Sequence, residues 1–285
     1  MQTYDCEPTL TDAQVLEFCK RGYLMLEGVV PDTINRRTCE YIDVNKFRTF
    51  QATINNPLGQ EDWFVENVLL NPQAAGAVRS LLGKNFGLPI RPSNHWVQCP
   101  APAQQWHRDG GSHYGSELNH LQVFYYPQDT PLELGPTEVL PGSHFLFALQ
   151  SWMSHYNGIR GGVKTAAPAG TIFITVYSIW HRRTASTVPG IRSLLKYCYW
   201  RTVPPQRDWI CEPDFNFGTA PYSWDGWPSP PPRQQHRDWY DAAQMFFWVC
   251  GKAKEFPAFV GGGGWPMAYS PSRKPEGFHK FPADG

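Results

Sequence analysis

The chain has 285 residues, with Lys+Arg and Asp+Glu both at 25, 15% aromatics, 25 glycines and 27 prolines. Zero net charge without a run of like charges excludes a basic nucleic-acid footprint and a polybasic membrane-surface segment. Gly and Pro fall short of the disordered range and the aromatics require burial, so the length is read as one enlarged domain, residues 1–285.

Residues 1–7 lack the basic and apolar regions of a signal peptide. The most apolar strip, Thr171 to Trp180, is about half as long as a membrane span requires. Seven cysteines, an odd number without a C-x-x-C pair, are expected to be reduced and mostly buried in a cytoplasmic location.

In chain order, Thr11-Asp12-Ala13-Gln14 is a capping box opening a helix that ends at Gly22. Tyr23-Leu24-Met25-Leu26 reads as a strand, and Pro31-Asp32 opens a helix expected to reach about Phe47. Residues 50–62 are polar and loop-like, and Pro72 to Leu82 is a helix stopped by Gly83. From His95 the pattern turns to strands: His95 to Cys99, Ala103 to His107, Leu118 to Tyr126, a short one within Leu134 to His144, Thr171 to Tyr177, and a long one from Ile191 to Thr202. Short strands punctuated by Gly and Pro after an opening set of helices predict a mainly β protein with flanking helices. Its expected core is a double-stranded β-helix, a cupin-like jelly roll. The expected division is a helical scaffold over 1–90, the roll over 91–203 and a Trp/Pro-rich extension over 204–285. The extension has six tryptophans (209, 224, 227, 239, 248 and 265); so much apolar surface is expected to pack on the roll, on the site mouth or on a second copy as a homodimer.

The chemistry centres on Gln105-Trp106-His107-Arg108-Asp109-Gly110. His107 and Asp109 are two apart and share a face of an extended strand. With one more histidine they would make the two-His-one-carboxylate set of non-haem Fe(II) oxygenases. The pair alone is weak, because His236-Arg237-Asp238 repeats it, also after two glutamines. That second pair follows Pro230-Pro231-Pro232 and precedes a helical pattern to about residue 250, where Asp238 suits a first helical turn better than a metal.

The order of several motifs resembles the phytanoyl-CoA dioxygenase family of Fe(II)/2-oxoglutarate-dependent oxygenases. The motifs are Gly22 to Val29, His107-Arg108-Asp109, Leu134-Gly135-Pro136 running into Pro141-Gly142-Ser143-His144, His181 and Arg192, covering roughly residues 11–202. The resemblance implies that His181 completes a metal set with His107 and Asp109, and that Arg192 holds the far carboxylate of 2-oxoglutarate, its planar fork suiting a carboxylate in a way lysine does not. The competing readings are a core histidine bonded to a carbonyl and an arginine paired with a structural acid. Gln105 and Thr137 stand where they could contact the co-substrate or orient a ligand; His95, His113, His120, His144 and His155 read as structural or surface residues.

The implied activity is oxidation, by default hydroxylation, of a C–H bond in a small-molecule metabolite. Fe(II), 2-oxoglutarate and O2 are the implied cofactor and co-substrates, and desaturation or ring formation stay open. In halogenating relatives a small residue replaces the carboxylate, so Asp109 argues against halogenation. Where the family usually has small residues after the distal histidine, this chain has Arg182 and Arg183, which either meet an anionic substrate or pair with acids of the tail. Two other functions remain: a non-catalytic roll that binds a small molecule, and a cupin-type metalloenzyme without a keto acid.

Overall fold

The computed structural model describes residues 2–44, 57–89, 92–215 and 232–256, with the 232–239 stretch described as backbone. The elements in order are β1 (Thr3–Tyr4), α1 (Asp12–Arg21), β2 (Tyr23–Leu26), α2 (Asp32–Val44), α3 (Asp62–Phe64), α4 (Pro72–Leu82), β3 (Phe86–Gly87), β4 (Ser93–Asn94) and β5 (Val97–Cys99). There follow β6 (His120–Tyr126), β7 (Thr137–Val139), α5 (Gln150–Met153), β8 (Val163–Lys164), β9 (Thr171–Val176), β10 (His181–Arg183), β11 (Gly190–Arg192), β12 (Leu195–Trp200) and α6 (Pro232–Val249). Residues 45–47 of the expected second helix lie outside the described residues.

The main sheet runs β1-β3-β12-β6-β9-β2, with β4 also on β12; β10-β7-β8 and β11-β5 form smaller sheets. Every named pair is antiparallel. Strand alternation separates two environments. Leu121, Val123 and Tyr125 of β6, Ile172 and Ile174 of β9, and Tyr197 and Tyr199 of β12 join α1 and α4 in the largest apolar cluster. Phe124, Tyr126 and Phe173 face the other way and pack with Val139 of β7. The Phe124 and Phe173 rings stack with centroids 4.4 Å apart and planes 4° from parallel. The result is mainly β with helices outside, as expected.

The opening helix forms for the reason read from its sequence. Thr11 Oγ1 accepts from the Gln14 backbone N–H, and Gln14 Oε1 accepts from that of Thr11. Gly22 ends the helix with φ 75° and donates to the Phe18 carbonyl at 2.7 Å. A Cβ there would stand 2.4 Å from the His144 ring, so this position needs glycine for space as well as for φ. His144, fully buried, bonds the Cys19 carbonyl through Nε2 at 3.0 Å. The Pro141-to-His144 turn and the Gly22 junction are therefore two halves of one packing contact.

Two strand expectations need correction. Ala103 to His107 forms a single bridge at His107 rather than a strand, because Pro100 and Pro102 carry no N–H and only Gln104 and His107 bond toward β10. The expected strand over 191–202 is broken at Ser193 and Leu194. Gln128 receives the Ser193 N–H and donates to the Ile191 carbonyl, while the His95 N–H takes the Leu194 carbonyl. Arg192 thus belongs to β11 and Lys196 to β12.

The described part of the tail packs on the scaffold. Asp12, fully buried at the start of α1, accepts from Arg207, from Trp209 Nε1 and from the Glu212 N–H at 2.7–2.8 Å. Trp209, Phe246 and Phe247 join the main apolar cluster. Trp224, Trp227 and Trp265 lie outside the described residues. Among the described residues no helix is long and apolar enough to cross a membrane.

Candidate metal centre and active site

His107 and His181 face each other across an isolated antiparallel bridge, each N–H donating to the other's carbonyl at 3.0 Å. The pairing is held from behind: the Leu140 N–H donates to the Trp180 carbonyl, and Ser143 Oγ accepts the Trp180 N–H, both at 2.9 Å. One donor atom from each of His107, Asp109 and His181 falls within 4.8 Å of the others.

The ring orientations are set by hydrogen bonding. His107 Nδ1 lies 2.8 Å from the Gln105 carbonyl and His181 Nδ1 lies 3.1 Å from the Ile179 carbonyl. A carbonyl only accepts, so each Nδ1 carries the proton and each Nε2 lone pair is left for a metal. Burial, and then the neighbouring His107, pushes the His181 imidazole down to about 3, so it is neutral at physiological pH. Burial opposes ionisation of Asp109, but the His181 ring, the Lys196 ammonium and hydrogen bonds from Lys196 and Gln122 outweigh it and hold the carboxyl at about 2. Because His181 is neutral at pH 7, Lys196 is the charge that acts there. Lys196 Nζ sits 2.7 Å from Asp109 Oδ2, and Gln122 donates to the same oxygen. The other oxygen, Oδ1, stands 3.9 Å from His181 Nε2 and faces the cluster.

The cluster opens on a cavity of about 190 Å3 whose walls include His107, Asp109, Phe124, Thr137, His181, Arg192 and Lys196. Arg192 is 1% exposed. Its Nη2 donates to Thr137 Oγ1 at 3.0 Å, and its Nε has no partner among the described residues. No acid among the described residues holds it, and burial lowers its hold on the proton without discharging a guanidinium. Two imidazoles and a carboxylate are the donor chemistry for Fe(II), and a buried guanidinium lacking a carboxylate among the described residues is what a dicarboxylic keto acid would satisfy. The residues fit both groups.

The structure places the remaining candidates unevenly. Thr137 lines the cavity and holds Arg192. The Gln105 side chain is exposed and outside the cavity wall; its carbonyl orients His107, while the side chain facing the cavity is that of Gln104. His95, read as structural or surface, lines the cavity instead, pushed down to about 3 by burial and by the charges of Lys196 and Arg192. Arg182 pairs with Glu138 at 2.7 Å rather than with the tail. Sequence reasoning does not place Lys196, Gln122 or Gln104 around the metal set, although even-numbered positions of β6 and β12 share the cavity face and that alternation is visible in the sequence. His236 and Asp238 lie within α6, where residues two apart do not share a face as they do on a strand.

Residues 18–187, more than half of the chain, match the family model for phytanoyl-CoA dioxygenase (PhyH). The chain belongs to the phytanoyl-CoA dioxygenase family. Arg192 and the tail lie beyond the matched span. No curated protein matches the chain in sequence. Among solved structures it is similar to HygX from Streptomyces hygroscopicus with nickel and 2-oxoglutarate bound: TM-score 0.56, 15% identity, covering 69% of this chain and 89% of that one. It is also similar to the non-haem, α-ketoglutarate-dependent carbocyclase SnoK of nogalamycin biosynthesis (TM-score 0.55, 17% identity, 69% and 88% covered). A third is the epimerase SnoN of the same biosynthesis (0.52, 14%, 66% and 81%). At such identity these likenesses establish the shared fold, a cupin-like jelly roll.

Proposed function

We propose that the chain is an Fe(II)/2-oxoglutarate-dependent oxygenase of a small molecule, with His107, Asp109 and His181 as metal ligands and Arg192 as the anchor of the co-substrate's far carboxylate. The observation that carries this reading is the opening of the three donor atoms onto the same cavity as a buried guanidinium with an unpartnered Nε. When bound, the iron and 2-oxoglutarate supply the oxidising chemistry: O2 is consumed, the keto acid becomes succinate and CO2, and a substrate C–H bond is oxidised. The protein's part is positional. The Gln105 and Ile179 carbonyls aim the two imidazoles, Lys196 and Gln122 keep Asp109 Oδ1 turned to the metal, Thr137 steadies Arg192, and Phe124 and Leu194 keep water from the walls.

The neighbours support a small-molecule substrate, since HygX has been crystallised with hygromycin B. They also include an epimerase and a carbocyclase, so hydroxylation is proposed as the default outcome, and Asp109 is the reason for preferring it to halogenation. The tryptophan content of the tail supports one further proposal, a homodimer of single-domain chains, tested by sedimentation of the full chain.

The deciding experiment screens metabolites for stimulated succinate formation and analyses the product by mass spectrometry in chloride-containing buffer. Oxygen gain or hydrogen loss is expected. A chlorinated main product would overturn the role given to Asp109. His236→Ala is expected to leave metal stoichiometry intact; loss of metal there, with retention in His181→Ala, would move the ligand set.

A further inference from the structure

We infer that Arg183 is a second cation of the pocket for the far carboxylate of 2-oxoglutarate, beside Arg192; this rests on the co-substrate reading above. The strand holding the distal histidine ends in two arginines, and alternation gives them different surroundings. Arg182 turns away from the cavity, bonds Glu138 at 2.7 Å and lies over the Trp106 ring at 4.8 Å. Arg183 turns the same way as His181 and lines the cavity.

In the β10–β7 register Arg183 stands directly opposite Thr137. Thr137 is also the residue that receives Arg192 Nη2 at 3.0 Å. Both arginines are therefore tied to Thr137, Arg183 by strand pairing and Arg192 by its side-chain bond, and both line the cavity. Arg183 uses one donor on the Pro102 carbonyl, Nη2 to O at 2.8 Å. Its Nε and Nη1 are buried with no partner among the described residues, like Arg192 Nε. Asp109, the one carboxylate in the described cavity wall, is engaged by Lys196.

Guanidinium groups do not relieve such crowding by losing a proton. Arg183 and Arg192 both line this cavity, and each keeps a buried guanidinium N–H without a partner among the described residues. A carboxylate offers about four lone-pair sites, enough for donors from both arginines. An anionic group on the oxidised substrate has the same chemistry, but pairing of Arg183 with Thr137, the residue that Arg192 bonds, places its strand position at the end of the cavity that Arg192 serves.

The test is calorimetric titration of the full chain, loaded with Ni(II), with 2-oxoglutarate and with 2-oxobutyrate, which keeps the keto-acid head and lacks the far carboxylate. Arg183→Ala is expected to weaken 2-oxoglutarate roughly ten- to a hundredfold, as loss of charge-assisted bonds implies, and to leave 2-oxobutyrate unchanged. Arg183→Lys should fall between, keeping charge and losing the fork. If Arg183→Ala does not fold once the Pro102 bond is lost, Arg183→Lys and Arg183→Gln carry the comparison. Unchanged 2-oxoglutarate affinity, or equal weakening of both keto acids, would overturn the inference. Wild-type protein that binds neither keto acid would instead overturn the co-substrate reading on which it rests.

Discussion

The two faces of the main sheet share their strands but not their chemistry. Toward the helices, Leu121, Val123, Tyr125, Ile172, Ile174, Val176, Leu195, Tyr197 and Tyr199 are uncharged and close-packed. Toward the cavity, the same strands carry Gln122, Phe124, Thr175 and Lys196, and the facing strands add His181, Arg183 and Arg192. Both faces are largely buried. The difference is that the helix face is neutral, whereas the described cavity face holds three cations against one carboxylate, an excess of positive charge that burial makes costly and that a bound anion would offset. A site is thus marked here by unbalanced buried charge rather than by depth.

This contrast can be broken at either face. The largest effect is expected from His181→Ala, which should abolish metal binding and turnover while the urea midpoint changes little; metal analysis beside an unfolding curve checks both. On the helix face, Ile174→Ala should do the reverse. It should cost about 2–5 kcal/mol of stability, read from the same unfolding curve, with metal stoichiometry of the folded protein unaltered. Arg192→Lys keeps the charge and loses the fork, so 2-oxoglutarate affinity should fall by roughly 1.5–3 kcal/mol, by titration, with iron binding intact.

Lys196→Met sharpens the contrast through pH. Asp109 is held at about 2 with help from Lys196, and the same ammonium lowers the His181 value. Removing it lets both ligands take protons at higher pH, so the acid limit of Co(II) binding, followed by visible absorption, should move upward. The smallest effect belongs to His144. Burial lowers it from 6.5 to about 4, so the unfolded chain binds a proton there that the folded chain refuses. Stability should therefore decline as pH falls from about 6.5 toward about 4. His144→Gln should make that decline shallower by up to one proton in the pH dependence of the urea midpoint.

Local features are legible in the amino-acid sequence alone. The capping box at Thr11, the strand over 23–26 and the helix over 72–82 fall where their residues put them, because caps, alternation and helix stops are interactions within a few positions. The His107–Asp109 pair is legible for the same reason, and the family resemblance supplies His181 and Arg192. Local patterns do not reveal that Gln104 rather than Gln105 turns inward, or that the chain breaks at Ser193 so that Arg192 and Lys196 reach one cavity from different sheets. Nor do they divide Arg182 from Arg183, one bound to Glu138 and the other left with open donors. Those outcomes depend on contacts between residues tens of positions apart, such as His95 with Leu194 and Thr137 with Arg183. Side-chain alternation sets which residues share a face; only long-range pairing decides what that face meets.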